Sequence, residues 1–368
     1  MRELFSRGYT LIARRIDGPL MLAMIVLVSL SLTVIYSASG GDTFARALGQ
    51  FRNFCFAVII MWVVANLSPQ KLMRFAVPLY FAALALLIAV ALFGTIRNGA
   101  RRWLDLGVMV IQPSEMMKIA MPLLLAWFFH LREEGLSIKD YFFAGLILAI
   151  PTGLIMRQPD LGTSILIFAS GFFVIFLMGL SWKIIFSALG AVVAMLPIIW
   201  QRLHGYQQQR VLTFLDPAAD PQGAGYHIIQ STIAIGSGGV LGKGWLLGSQ
   251  TKLDFIPERS TDFILAVFGE EFGLIGNLFL FTLYLVIIGR GLMIALSAPT
   301  TFSRLLAGAI TLTFFTYAFV NIGMVSGILP VVGVPLPLIS YGGTSMLSML
   351  IGFGILMSIS THKQLVST

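Results

Sequence analysis

The chain has 368 residues, of which 57% are hydrophobic and only 11% charged, and its net charge is +8. A soluble chain carries about a quarter charged residues, so this composition excludes a large water-soluble domain. A mean hydropathy of +0.90 and apolar runs from end to end indicate a polytopic membrane protein.

Ten apolar segments are expected to cross the bilayer, approximately 18–37, 51–66, 75–94, 115–131, 141–156, 161–179, 183–200, 264–289, 303–327 and 343–360. Runs of this length must be helices, because backbone groups in lipid have to be satisfied within the segment. The first is read as a retained span, since no small-residue cleavage site interrupts it. The expected fold class is therefore an all-α polytopic membrane protein, a single transmembrane domain over 1–368 with about ten helices. A large external loop, 201–261, lies between the seventh and eighth. The lone Cys55 falls inside an apolar run, and no intrachain disulfide can form. The positive balance suits anionic lipid headgroups, whereas no basic–aromatic module for nucleic acid is found. No internal repeat of the kind that builds many transporters is evident either.

Lys and Arg placement orients the spans. With the N-terminus inside, Arg2, Arg7, Arg14, Arg15, Lys71, Arg74, Arg132, Lys139, Lys183, Arg290, Arg304 and Lys363 fall inside, against Arg46, Arg52, Arg97, Arg101, Arg102 and Arg157 in short outer loops. Both termini are expected in the cytoplasm.

The outer loops carry most of the unusual residues. Residues 97–107, "RNGARRWLDLG", put Arg97, Arg101 and Arg102 outside against the charge rule. They suit an anionic ligand or the phosphates of outer-leaflet lipid. "QPSEMMKIAMP" follows, with Pro113 and Ser114 as a helix start and Glu115 and Lys118 three apart on one face. That pair points into the bundle, either serving a site or pinning two helices. "RQPDLGT" holds Asp160 in a tight turn, as a carboxylate facing Lys118 or a metal, or as the cap of the next span. In the long loop, Tyr226, Ile229, Ile233 and Ile235 are spaced for an amphipathic helix at the outer surface. The run "GSGGVLGKG" has the freedom to approach a phosphate but is not a Walker motif. "PERSTDFILAVFGEE" places Asp262 at the entrance of the eighth span, as a functional carboxylate or an N-cap, and Glu270 and Glu271 inside it. The glutamates allow a short outer helix over 262–271, with the span proper starting at Phe272. "ILPVVGVPLPLISYGG" cannot be regular helix across Pro330, Gly333, Pro335 and Pro337. At membrane depth it must be buried or line a cavity, and Ser340, Tyr341, Gly342 and Gly343 at its end suit a polar or anionic ligand. These loops share one side, so one outward cavity is expected.

At these positions the sequence resembles the SEDS family of bacterial cell-wall proteins, its elongation branch more than its division branch. The resemblance covers nearly the whole chain, through "RRWLDLG", "QPSEMMKIA", "QPDLGTS", "DPQGAGYHIIQS", "GKGWLLGSQ", "PERSTDFI" and "NIGMVSGILPVVGVPLPLISYGG". Thr344 stands where the family commonly has serine. The resemblance implies peptidoglycan glycosyltransferase activity: lipid II polymerised into β-1,4 glycan strands at the outer face of the bacterial cytoplasmic (inner) membrane, with a periplasmic active site. Its essential aspartate falls on Asp262, and other implicated positions on Glu115, Lys118 and Asp160. Inverting displacement of undecaprenyl pyrophosphate then makes Asp262 the general base. Arg101, Arg102, Lys118, Arg210 and Arg259 are candidates to neutralise the pyrophosphate, with or without a divalent cation (Mg or Mn) at Asp160 or Asp262. Implied partners are lipid II, the growing strand, membrane lipids, a class B penicillin-binding protein and the rod-shape elongation complex. Two rivals are a lipid II flippase and a non-catalytic scaffold of that complex.

Overall fold

Pro19, Pro69 and Pro113 stand in the first turns of three long helices, where proline's fixed φ fits and its missing N–H is not needed. Asp17 accepts from the Leu20 amide at 3.3 Å to start α1 (Gly18–Ala38). In chain order follow α2 (Ala45–Ala65), α3 (Pro69–Phe93), β1 (Thr95–Arg97), β2 (Ala100–Asp105), β3 (Val110–Ile111), α4 (Pro113–His130), α5 (Ile138–Arg157), α6 (Leu161–Leu177) and α7 (Trp182–Arg202). The remainder is α8 (Gly205–Leu215), α9 (Ala224–Ser237), α10 (Ser249–Lys252), α11 (Ile264–Leu296), α12 (Thr301–Val325) and α13 (Gly343–Thr361). The computed structural model describes residues 16–41, 44–97, 100–105, 110–158, 160–202, 205–217, 223–253, 255–256 and 258–362. Helices occupy all ten expected spans, and seven of them are long and apolar enough by themselves to cross a membrane.

Lipid tails are as apolar as leucine, so packing within the bundle relies on close backbone approach rather than on exclusion of water. A Cβ at Gly354 would lie 2.6 Å from the Met61 carbonyl oxygen, which brings α13 against α2. A Cβ at Gly291 would lie 2.3 Å from Thr311 Oγ1, which joins α11 to α12. Helices α4, α12 and α13 form the centre, where Phe129 and Phe302 are fully buried and Phe314 packs edge-on to Phe353. At the end of the bundle away from the polar loops, Arg290 Nη2 donates to Asp17 Oδ2 at 2.7 Å and Ser360 Oγ to the same oxygen at 3.3 Å. This contact ties α1, α11 and α13. Because Arg290 stays partly solvated, Asp17→Ala is expected to cost only about 1–2 kcal/mol, seen as a lower thermal midpoint in detergent.

Two features depart from the sequence reading, and a third decides between two alternatives that it left open. The chain is not purely helical, since β1, β2 and β3 pair in that order as an antiparallel sheet. Helix α9 does not simply lie on the membrane surface: it packs against α11 and α12. Its inner face is Ile228, Ser231 and Ala234, while Ile233 is 46% exposed. The helical period was correct, but the buried stripe lies on other residues, because Ser231 is drawn inward by a 2.9 Å bond to the Val325 carbonyl.

The third feature is the entrance to α11. Gly273 has φ 64° and ψ −160°, so a short helix ends there and the long span begins beyond it. This agrees with the reading in which Glu270 and Glu271 belong to a separate outer helix. The break frees backbone groups, and the glycine run takes them up: Lys243 N donates to Glu270 O, Gly244 N to Glu271 O, and Leu274 N to Gly239 O, each at 3.0 Å. A Cβ at Gly238 or Gly242 would lie 2.1 Å from the carbonyl oxygens of Gly269 and Glu271 respectively. "GSGGVLGKG" is thus glycine-rich to lie against another backbone, and these contacts replace the phosphate reading.

Candidate functional site

Asp262 sits in the turn between α10 and α11. It is not the N-cap of α11: that position is Phe263, and no side chain caps it. The main chain around Asp262 is suspended from its surroundings by several bonds. Tyr341 N donates to Ser260 O at 2.9 Å, Ser340 Oγ to Thr261 O at 2.6 Å, and Asn321 Nδ2 to Asp262 O at 2.8 Å. Asp262 is half-buried, and its Oδ2 lies 3.3 Å from where a Cβ on Gly333 would stand. Gly333 also has φ 72°, a conformation that favours glycine. Gly333→Ala should therefore both strain the broken segment and press on the Asp262 carboxylate. The expected result is at least about a tenfold loss of activity with a cost of about 1 kcal/mol, read by comparing turnover with the thermal midpoint.

Gly333 is also part of the wall of a cavity of about 290 Å³, whose polar lining includes Arg102, Gln112, Glu115, Lys118, Asp160, Thr344 and Ser345. Lys118 Nζ pairs with Glu115 Oε1 at 2.7 Å, and Ser348 Oγ donates to Glu115 Oε2 at 2.7 Å. Lys118 also lies 5.1 Å from the centre of the Tyr317 ring. Asp160 accepts from Thr163 N at 3.1 Å and pairs with Arg102 Nε at 3.5 Å. Asp160 caps α6 and also lines the cavity, where its ion-pair partner is Arg102 rather than Lys118. Each charge in this space has an opposite partner, so two cations can meet an incoming anion without standing bare in its absence.

A second cavity of about 440 Å³ lies against the residues just before Asp262, lined by Arg46, Ile256, Glu258, Arg259, Ser260, Thr261 and Tyr341. Arg46 Nη1 donates to Ser260 Oγ at 3.0 Å, and Arg259 Nη1 to Thr251 O at 2.6 Å. Burial, and then the nearby Arg46 charge, bring the Arg259 pKa below the usual arginine range.

The structure brings Arg102, Glu115, Lys118 and Asp160 together, with Asp262 at the edge through Gly333. Arg259 belongs to the second cavity. Ser340 and Tyr341 hold the Asp262 turn, Gly342 N donates to Gln50 Oε1 at 3.3 Å, and Gly343 packs on Asn53. The side chains of Arg101 and Arg210 lie outside the described residues. Sequence reasoning missed Arg46, Gln50, Asn321, Thr344, Ser345 and Ser348. Asn321 and Gln112 stand inside sequence blocks already singled out, but nothing in a lone polar residue on an apolar helix tells which way it points. Among the described residues no three His, Cys, Asp or Glu side chains cluster as a metal site. Asp160 or Asp262 could hold a magnesium-like ion together with phosphate oxygens, since such an ion needs only one or two protein carboxylates.

A family model described as cell cycle protein, covering FtsW, RodA and SpoVE, matches residues 13–365. The peptidoglycan glycosyltransferase MrdB of Escherichia coli K12 is 52% identical over 355 residues, covering 96% of this chain and 95% of that protein. A probable peptidoglycan glycosyltransferase FtsW of Geobacter metallireducens is 34% identical over 365 residues, covering 95% and 96%. Among solved structures, a peptidoglycan synthase complex that coordinates polymerization and crosslinking contains a chain with TM-score 0.81 and 34% identity, covering 94% of this chain and 97% of that one. The crystal structure of the rod shape determining protein RodA from Thermus thermophilus aligns with TM-score 0.71 and 27% identity, covering 94% and 96%.

Proposed function

The chain belongs to the FtsW/RodA/SpoVE family of cell cycle proteins and is a peptidoglycan glycosyltransferase of the membrane, and from that premise we propose that the cavity beside Asp262 joins lipid-linked disaccharides into glycan strands. The observation that carries the proposal is the placement of a half-buried carboxylate at the edge of a cavity holding Arg102 and Lys118. The substrate is lipid II, an α-linked sugar on undecaprenyl pyrophosphate, and the product is β-1,4-linked. One displacement inverts the centre. The acceptor 4-hydroxyl oxygen bonds to C1 and its proton passes to the Asp262 carboxylate. The bond from C1 to the phosphate oxygen breaks, and undecaprenyl pyrophosphate leaves with the electron pair. Lys118 and Arg102 stabilise its charge as it develops. A divalent cation held by Asp160 or Asp262 would add to that neutralisation.

In this reading the cavity faces the periplasm, with both termini in the cytoplasm, in agreement with Lys and Arg placement. The partner is a class B penicillin-binding protein that crosslinks the strands within the elongation complex. Polar groups concentrated at one end of the bundle favour a surface polymerase over a flippase, whose site would lie near the midplane.

Reconstitution with that partner tests the proposal. Vesicles receive lipid II, with moenomycin present to silence contaminating polymerases, and glycan strands are resolved on gels. Strands are expected. Labelled lipid II that crosses the bilayer without being polymerised in any preparation would establish the flippase instead, and neither outcome would leave only the scaffold.

A further inference from the structure

Asn321 lies one turn before the end of α12 and is 0% exposed. Its Nδ2 makes two bonds, to Asp262 O at 2.8 Å and to Val334 O at 2.7 Å. Both acceptors are carbonyl oxygens, which leaves one orientation for the amide. Val334 follows Gly333, whose Cα faces the Asp262 carboxylate. One amide group therefore spans from the main chain of the carboxylate to the wall opposite it. Neither segment is helical at that point, so no regular ladder fixes their separation. Helix α12 does, because Met324 Sδ also receives Val332 N at 3.4 Å. Asn321 Oδ1 is buried with no hydrogen-bond partner among the described residues. Packing alone would not require an amide there, since an unpaired buried carbonyl is unfavourable.

We infer that Asn321 is a positioning residue: it holds the main chain of Asp262 and the Gly333–Val334 wall in one fixed register, and so sets where the carboxylate meets the acceptor. The inference rests on the reading of Asp262 as the base. Asn321 itself touches neither substrate nor the reacting atoms. Ser340 joins the same two segments at neighbouring residues, Thr261 to the Leu336 amide, and bonds to neither the Asp262 carbonyl nor Val334. The Tyr284 hydroxyl holds Pro337 O at 2.8 Å without reaching the Asp262 turn.

That difference supplies the control. Asn321→Leu removes both donors at similar volume, Asn321→Ser keeps one, and Tyr284→Phe releases the broken segment alone. Each full-length variant is reconstituted with its partner, and kcat and KM for lipid II are measured beside the thermal midpoint. The expected result is a kcat at least tenfold lower for Asn321→Leu than for Tyr284→Phe, an intermediate value for Asn321→Ser, and KM within about threefold of wild type. Losses that match Tyr284→Phe, or that fall in KM alone, would overturn the inference. Where Asn321→Leu does not fold, Asn321→Ser against Tyr284→Phe decides by the same criteria. If Asp262→Asn is inactive while the Asn321 variants behave as Tyr284→Phe, only this inference fails. If Asp262→Asn polymerises normally, the base assignment fails first.

Discussion

Asp262→Asn is expected to lower the turnover of lipid II roughly 10²–10⁴-fold, the range for losing a general base, with the bundle intact. Asn321 holds residue 262 through its main-chain carbonyl, and the substitution keeps that bond. Phe263, not Asp262, stands at the N-cap of α11. An amide of the same shape therefore keeps the main-chain anchor and the local fill while removing the negative charge and the capacity to accept a proton. Asp262→Glu should restore little, because the extra methylene moves the carboxylate off the position from which it meets the acceptor hydroxyl. Single-turnover rates at saturating lipid II, with folding checked by thermal midpoint, distinguish loss of chemistry from loss of substrate. Wild-type turnover in Asp262→Asn would remove the base from the mechanism.

Much of this site can be read without coordinates, and the reason is physical. In a chain that is 57% hydrophobic, a charge inside an apolar run needs a partner, so Glu115, Lys118, Asp160 and Asp262 stand out. Span counting then places them at one end. The parts that could not be read depend on register between segments far apart in sequence. Gln50 and Ser348 are ordinary polar side chains on helices, and only packing decides that they face Ser340 and Glu115. The sheet of β1, β2 and β3 escaped because its strands are only three, six and two residues long, too short for alternation to declare itself. The role of the glycine run stayed open in the sequence because close approach to another backbone and close approach to a phosphate ask for the same residue.

Glu270→Leu is the second large effect expected, and it concerns the loop rather than the chemistry. Glu270 is 0% exposed. Lys243 Nζ donates to it at 2.8 Å, Ser249 Oγ at 3.2 Å, and the amides of Gln250 and Thr251 at 3.0 and 3.4 Å. One carboxylate thus gathers 243–251 onto the short outer helix. Its loss strands several donors, a cost of about 3–5 kcal/mol for breaking a buried pair, towards the lower end because Lys243 is still 29% exposed and can turn to water. Glu270→Gln keeps the shape and should cost less, about 1–3 kcal/mol. The damage should reach the site, because the Thr251 carbonyl freed with the loop is the acceptor for Arg259, three residues before Asp262. Hydrogen exchange would show it as faster exchange across 243–253, together with reduced polymerisation. Unchanged protection there would mean that the backbone bonds of the glycine run to the Gly273 break hold the loop without the carboxylate. The neighbouring Glu271 takes a bond from Ser37 on α1 and also faces the Leu246 amide of the same loop. Glu270 therefore gathers 249–251 and Lys243, whereas Glu271 joins the loop to the first span at Leu246, so Glu271→Gln should speed exchange mainly around 246 and Glu270→Gln across 249–251.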